Sequence, residues 1–214
     1  MRIIEKTNKT LDNLYKKIPG GLFGIFSMII GLTGDFLAAL YYPGGYSILE
    51  HMISHLGTSW LNPGYYIFNI GVILCGSVAI PFDIYLGRFF EKKQGKSNWI
   101  NVAVISNLIS SISLIFVGIS LSISQDFEDF AFFLHGLFAT LCFLGAAIYC
   151  LIYSGIILNK NRFIPKHFAI FGLIVALVEI LFIFTWQPFI EWLANFSIIA
   201  WIIIMSIITL KRES

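Results

Sequence analysis

The chain has 214 residues, 57% of them hydrophobic and only 12% charged, with a mean hydropathy of +0.83 and a formal net charge of +2. Soluble domains carry about a quarter charged residues, so a chain this apolar cannot cover itself with a water-compatible surface and belongs in a bilayer. That excludes a soluble globular enzyme, and no phosphate-binding glycine loop or nucleic-acid motif interrupts the apolar pattern.

Residues 1–19 come first. Ile3, Ile4, Leu11, Leu14, Tyr15 and Ile18 recur at helical spacing with lysines between them, which fits an amphipathic helix on an anionic inner leaflet or a short arm. The remainder, 20–212, reads as one membrane domain of six spans at 21–42, 64–89, 99–121, 130–158, 165–186 and 189–210. Each exceeds the roughly 20 residues a helix needs to cross a hydrocarbon core. Runs this long exclude the shorter alternating strands of a membrane barrel. The fold class is therefore an all-α integral membrane protein, a six-helix bundle.

The positions of the basic residues set the orientation. All 14 lysines and arginines fall on one side of the six-span layout: before span one, between spans two and three (Arg88 to Lys96), between spans four and five (Lys160, Arg162, Lys166), and after span six. The other side carries Glu50, Asp126, Glu128, Asp129 and Glu191 and no basic residue. Positive charge is retained in the cytoplasm, so both termini are predicted there, in an integral protein of the cell membrane.

Polar residues within the spans mark packing faces. Asp35 shares a face of span one with Gly31, Ala38 and Ala39, and Asn69, Gly76 and Asp83 step along span two at seven-residue intervals. Ser106, Asn107, Ser110, Ser111 and Ser113 mark span three, where such groups usually join helices. Cys75, Cys142 and Cys150 lie inside spans without ligand spacing and read as packing residues. Ionisable groups in a bilayer are rarer and point to interior sites. Asp35, His135, Glu179 and Glu191 sit in the outer half or at its rim. Asp83 lies near the cytoplasmic end, where a rim ion pair with Arg88 is expected, and His167 lies at the same rim.

Between spans one and two runs YSILEHMISHLGTSWLNP, residues 46–63. Within 47–56, Ile48, Leu49, Met52, Ile53 and Leu56 form one helical face and Glu50, His51, Ser54 and His55 the other. This predicts an extracytoplasmic interfacial helix lying as a lid on the bundle, ended by Gly57, with Asn62-Pro63 opening span two.

Three short motifs in order carry a resemblance. ISHLGTSWLNPGYYIFNIGVILCG supplies Ile53, Ser54, Gly57, Pro63 and Phe68; span four supplies His135, Ala139 and Tyr149; span six opens on Glu191-Trp192. Together these resemble a prokaryotic membrane family, domain of unknown function 998, which is similar in pattern to the eukaryotic Frag/DRAM/Sfk family. Relatives often carry an acidic residue after the serine, where this chain has His55. The Frag/DRAM/Sfk group includes proteins tied to lipid remodelling of GPI anchors, to autophagy and to lipid distribution, so the resemblance implies membrane lipid as the partner and lipid handling at the outer leaflet.

Three functions fit these residues. A lipid hydrolase or acyltransferase would use His135 or His51 as base, Asp35 or Glu191 to orient the imidazole, and Ser54 as nucleophile or positioning hydroxyl. A variant places zinc on His51, His55 and His135, since histidines four residues apart on a helix suit a tetrahedral site. A non-catalytic lipid-binding or regulatory protein would use the same groups as a hydrogen-bonded network. A proton-coupled carrier would use Asp35 and Glu179, but the polar residues are not expected to continue through the cytoplasmic half. The topology has a direct test. In intact cells a membrane-impermeant maleimide is expected to label Glu50→Cys and to reach Lys96→Cys only after permeabilisation; the reverse pattern would invert the assignment.

Overall fold

The computed structural model describes residues 2–123, 128–160 and 164–213, with side chains over 10–123, 129–159 and 164–212. Asp126 and Arg162, used in the charge argument, lie outside the described residues, as does the side chain of Glu128. Among the described residues seven α-helices follow in order: α1 (Arg2–Lys17), α2 (Gly20–Ala39), α3 (Tyr65–Gln94), α4 (Asn98–Ser122), α5 (Glu128–Lys160), α6 (Lys166–Thr185) and α7 (Pro188–Glu213). Helices α2 to α7 are long and apolar enough to cross a membrane, and they match the six predicted spans. Large apolar side chains such as Leu177 and Phe184 are exposed on the outside of the bundle, as a lipid-facing surface requires.

Boundaries follow local chemistry. Helix α2 ends at Ala39, shortly before Pro43 and the positive-φ pair Gly44 and Gly45. Helix α6 ends on Trp186 in the left-handed region, and Pro188 then opens α7 at the first helical position, where its missing N–H costs nothing. Consecutive helices pack against each other, and α7 closes back on α2, so the six spans form a ring around a central space.

Small residues set the spacing of that ring. A Cβ on Gly76 of α3 would lie 2.6 Å from the Ser111 carbonyl oxygen of α4. One on Gly118 of α4 would lie 2.7 Å from the Asn69 oxygen of α3, and Gly145 of α5 stands in the same relation to Ser106. On α2, Gly34 meets the backbone of Gly71. Gly20 and Gly24, spaced for close helix contact, pack inside the chain against Tyr85 and Ser206. The end that carries the chain termini is filled by an apolar and aromatic cluster including Phe82, Phe90, Tyr149, Tyr153 and Trp201. A second cluster around Leu56, Phe68, Leu121 and Trp192 lies at the distal end.

The N-terminal segment is helical and docks near its end. Tyr15 donates to the Pro81 carbonyl at 2.8 Å and packs on Tyr85, while Arg88 lies over its ring and pairs with Asp12 at 2.7 Å. That pairing corrects one expectation. Arg88 is met by Asp12 of α1, and buried Asp83 instead accepts a hydrogen bond from Ser111 at 2.7 Å. Overpacking against rigid backbone costs about 1–3 kcal/mol. Gly76→Ala and Gly118→Ala are therefore expected to lower the melting temperature in detergent by several degrees. Gly136→Ala and Gly155→Ala, which meet nothing, should leave it unchanged or higher. Equal behaviour of the two pairs would contradict the account.

Candidate functional site

The 47–56 stretch does not form the predicted α-helix. It runs through turns into a short 3-10 helix, Ile53–Gly57, and returns to α3 through Asn62. Its amphipathic spacing is real, but side chains take its backbone groups out of the helical pattern, the competition that disfavours helix near such groups. The Tyr46 hydroxyl lies 3.0 Å from the His51 carbonyl and 2.9 Å from that of Met52, and it accepts from Trp192 Nε1 at 2.8 Å. Ser47 N–H donates to His51 Nδ1 at 3.1 Å. The segment is a strap tied down at several points.

The other ties come from three helices. Glu191 of α7 accepts the Ile53 N–H at 2.6 Å. Asn69 of α3 donates to the Gly57 carbonyl at 3.1 Å. Asn62 donates to the Leu56 carbonyl at 2.9 Å and to the Ala38 carbonyl at the end of α2 at 3.1 Å, and its own oxygen accepts the Gly64 N–H. Gly57 has to be glycine because a Cβ there would land on Asn69 and the Phe68 ring. Ser54, Leu56, Gly57 and Thr58 are buried, so this part of the strap belongs to the distal core, while Ile48, Leu49 and Glu50 before it are exposed.

Beneath the strap lies a cavity of about 130 Å³ lined by all six spans. The predicted catalytic set is gathered here: Ser54 from the strap, Asp35 from α2, His135 from α5 and Glu191 from α7 all line it. They are not hydrogen-bonded to one another. Asp35 accepts from Asn195 at 3.2 Å, Glu191 is committed to Ile53, and buried His135 has no partner at Nδ1. A serine hydrolase needs its base oriented by a third group, and this arrangement leaves the His135 imidazole without one.

The polar lining goes deeper than the sequence suggested. Asn107, Ser110 and Ser111 of α4, Asp83 of α3 and Glu179 of α6 face the same cavity, so polar groups do continue toward the terminal end. Apolar groups such as Phe68, Val72, Phe143 and Ile199 fill the intervals. Ser110 donates to the Cys142 carbonyl at 2.9 Å, the helix-joining role expected of the span-three serines.

The histidines do not make a metal site. His51 Nδ1 is taken by Ser47, its ring packs 4.7 Å from Tyr42 and 5.4 Å from Tyr46, and the His51 and His55 rings are 6.2 Å apart. Among the described residues no three His, Cys, Asp or Glu side chains gather as ligands, so His51, His55 and His135 do not fit zinc. Outside the spans, burial and the neighbouring His51 hold His55 below the ordinary histidine range, and burial pushes the Tyr46 phenol up.

A family profile described as "Protein of unknown function (DUF998)" matches residues 25–208, from the first turns of α2 to near the end of α7. The chain belongs to this family. No curated protein and no solved structure matches it. Of the residues that carry the resemblance in the sequence, Ile53, Ser54, Phe68, His135, Ala139, Tyr149 and Glu191 line the cavity, and Gly57 and Trp192 hold the strap over it. Sequence reasoning missed Tyr46, treated Asn62 only as a helix start, and read Asn69 only as a packing-face residue. The signal available was their position flanking the motif, with Asn62 preceding a proline.

The strap's histidine predicts a pH dependence. With the folded value depressed, protonation favours the unfolded state, so His55 stabilises fully above the ordinary range near about 6.5 and progressively less as pH falls below it. The loss in melting temperature from pH 7 to pH 5 is expected to be smaller in His55→Gln than in the parent protein. An identical loss in both would show that His55 does not titrate against the strap.

Proposed function

We propose that this protein binds a membrane amphiphile in the central cavity, drawing it from the extracytoplasmic leaflet beneath the strap, without catalysing a reaction on it. The observation that carries this reading is that Asp35, Ser54, His135 and Glu191, singled out in the sequence, converge on one cavity whose lining holds both polar and apolar groups. A site with an apolar wall and a few placed polar groups suits a ligand with a chain and a headgroup. At about 130 Å³ the space fits a headgroup or one stretch of chain, so most of a two-chain lipid would stay in the bilayer.

Binding is preferred to catalysis because every hydrogen bond to the carboxylates near the mouth is structural, fixing the strap or α7. One observation favours a carrier: the polar lining reaches Asp83. A carrier also needs a second opening, and the aromatic cluster of Phe82, Phe90, Tyr153 and Trp201 occupies that end.

Purification in mild detergent followed by native mass spectrometry tests the proposal. Wild-type protein is expected to retain lipid at a fixed stoichiometry. Ala139→Phe, which fills the cavity, and Ser54→Leu at its mouth are expected to lose it while keeping a cooperative melting transition. Absence of retained lipid in the wild type, or equal retention in both variants, would overturn the reading.

A further inference from the structure

We propose that the cavity is selective for a protonated amine, which sits against Glu179. This rests on the cavity being a ligand site and names the class of headgroup it takes.

The charge pattern of the lining is one-sided. Four helices contribute a carboxyl each, Asp35, Asp83, Glu179 and Glu191, and among the described residues no lysine or arginine faces the space. Three of the four have a donor from the chain: Asn195 for Asp35, Ser111 for Asp83 and the Ile53 N–H for Glu191. Glu179 has none. It is fully buried, and neither of its carboxyl oxygens meets a hydrogen-bond partner.

A buried carboxyl without partners is costly, which is why such groups in folded proteins are nearly always satisfied. Protonation removes the charge but leaves both oxygens and the new O–H without a partner. A protonated amine supplies what is missing: a positive charge and N–H donors able to bond both oxygens at once. The surroundings agree. Phe68, Phe143 and Tyr149 line the same cavity, and aromatic faces attract cations. An anionic group placed there would meet four carboxyls and no lysine or arginine, His135 being the basic side chain in the lining. Glu179 lies six residues before the end of α6, about 9 Å along the helix at 1.5 Å per residue. Ser54 of the strap and Glu179 line the same cavity, so a headgroup entering beneath the strap is in the space that Glu179 faces.

The test uses the full-length protein in dodecyl maltoside and four probes: dodecylamine, dodecyltrimethylammonium, dodecanoate and propylamine. Calorimetry and thermal shift report binding. Dodecylamine is expected to bind saturably, more tightly than the trimethylammonium compound, which has no N–H. Dodecanoate is expected not to compete. Glu179→Gln is expected to weaken dodecylamine by about tenfold, the loss of one charge-assisted hydrogen bond, and Glu179→Asp to restore part of it. Comparison with propylamine distinguishes the source: binding as tight as dodecylamine supports a free amine, and much weaker binding supports an amine-bearing lipid. Unchanged affinity in a well-folded Glu179→Gln, or dodecanoate binding as well as dodecylamine, would overturn the amine assignment while leaving amphiphile binding intact. Failure of every probe to bind would remove both.

Discussion

An irregular segment can sit inside the distal core of a membrane bundle only if its backbone polar groups find partners there. Hydrocarbon offers none, and each unpaired group costs several kcal/mol. The hydrogen bond from the Ile53 N–H to Glu191 meets that constraint at the centre of the strap, and Tyr46, Asn62 and Asn69 meet it on either side. Without these ties the stretch would have to become a helix or move out to the interface. With them it stays folded inward, places Ser54 over the cavity and buries Leu56 among Phe68, Leu121 and Trp192.

The cavity is a consequence of two opposed packing rules. Along the α3–α4 contact glycines bring backbone against backbone, so the ring closes tightly at its circumference. Facing the centre, the same helices present serines, asparagines and carboxyls, which do not interdigitate as apolar side chains do. The bundle is therefore dense at its walls and at its aromatic terminal end, and open in the middle beneath the strap. Ser54, His135 and Glu191 sit at the junction between the strap and that opening, which is how residues scattered over three parts of the sequence come to one place.

Much of this was legible in the chain itself. The six spans were, because each is a long apolar run, and the inward faces were, because small and polar residues recur at helical spacing. Asp35, His135, Glu179 and Glu191 were legible as a group because ionisable residues are conspicuous in an apolar background, and Ser54 was legible through the resemblance. The strap's conformation was not. Its helical periodicity competes with ties from residues far away, Glu191 standing 138 positions from Ile53 and Trp192 standing 146 from Tyr46. Asp83 was misread for the same reason. Arg88 is near in sequence, but Asp12 on α1 takes it, and Ser111 reaches Asp83 across a helix contact. The histidine pair drew attention by spacing alone, and that spacing means little once the segment is not an α-helix.

What remains inside the ring is a space with an apolar wall and a few polar groups beneath the strap, and its contents decide what the protein is for. An experimental density map of the protein extracted with native lipid tests this most directly. The account predicts elongated density running beneath Ser54 and Glu191 and ending at the Glu179 carboxylate, with the strap in the conformation described. A collapsed cavity in which Glu179 bonds another side chain, or a strap lifted away from Glu191, would contradict it.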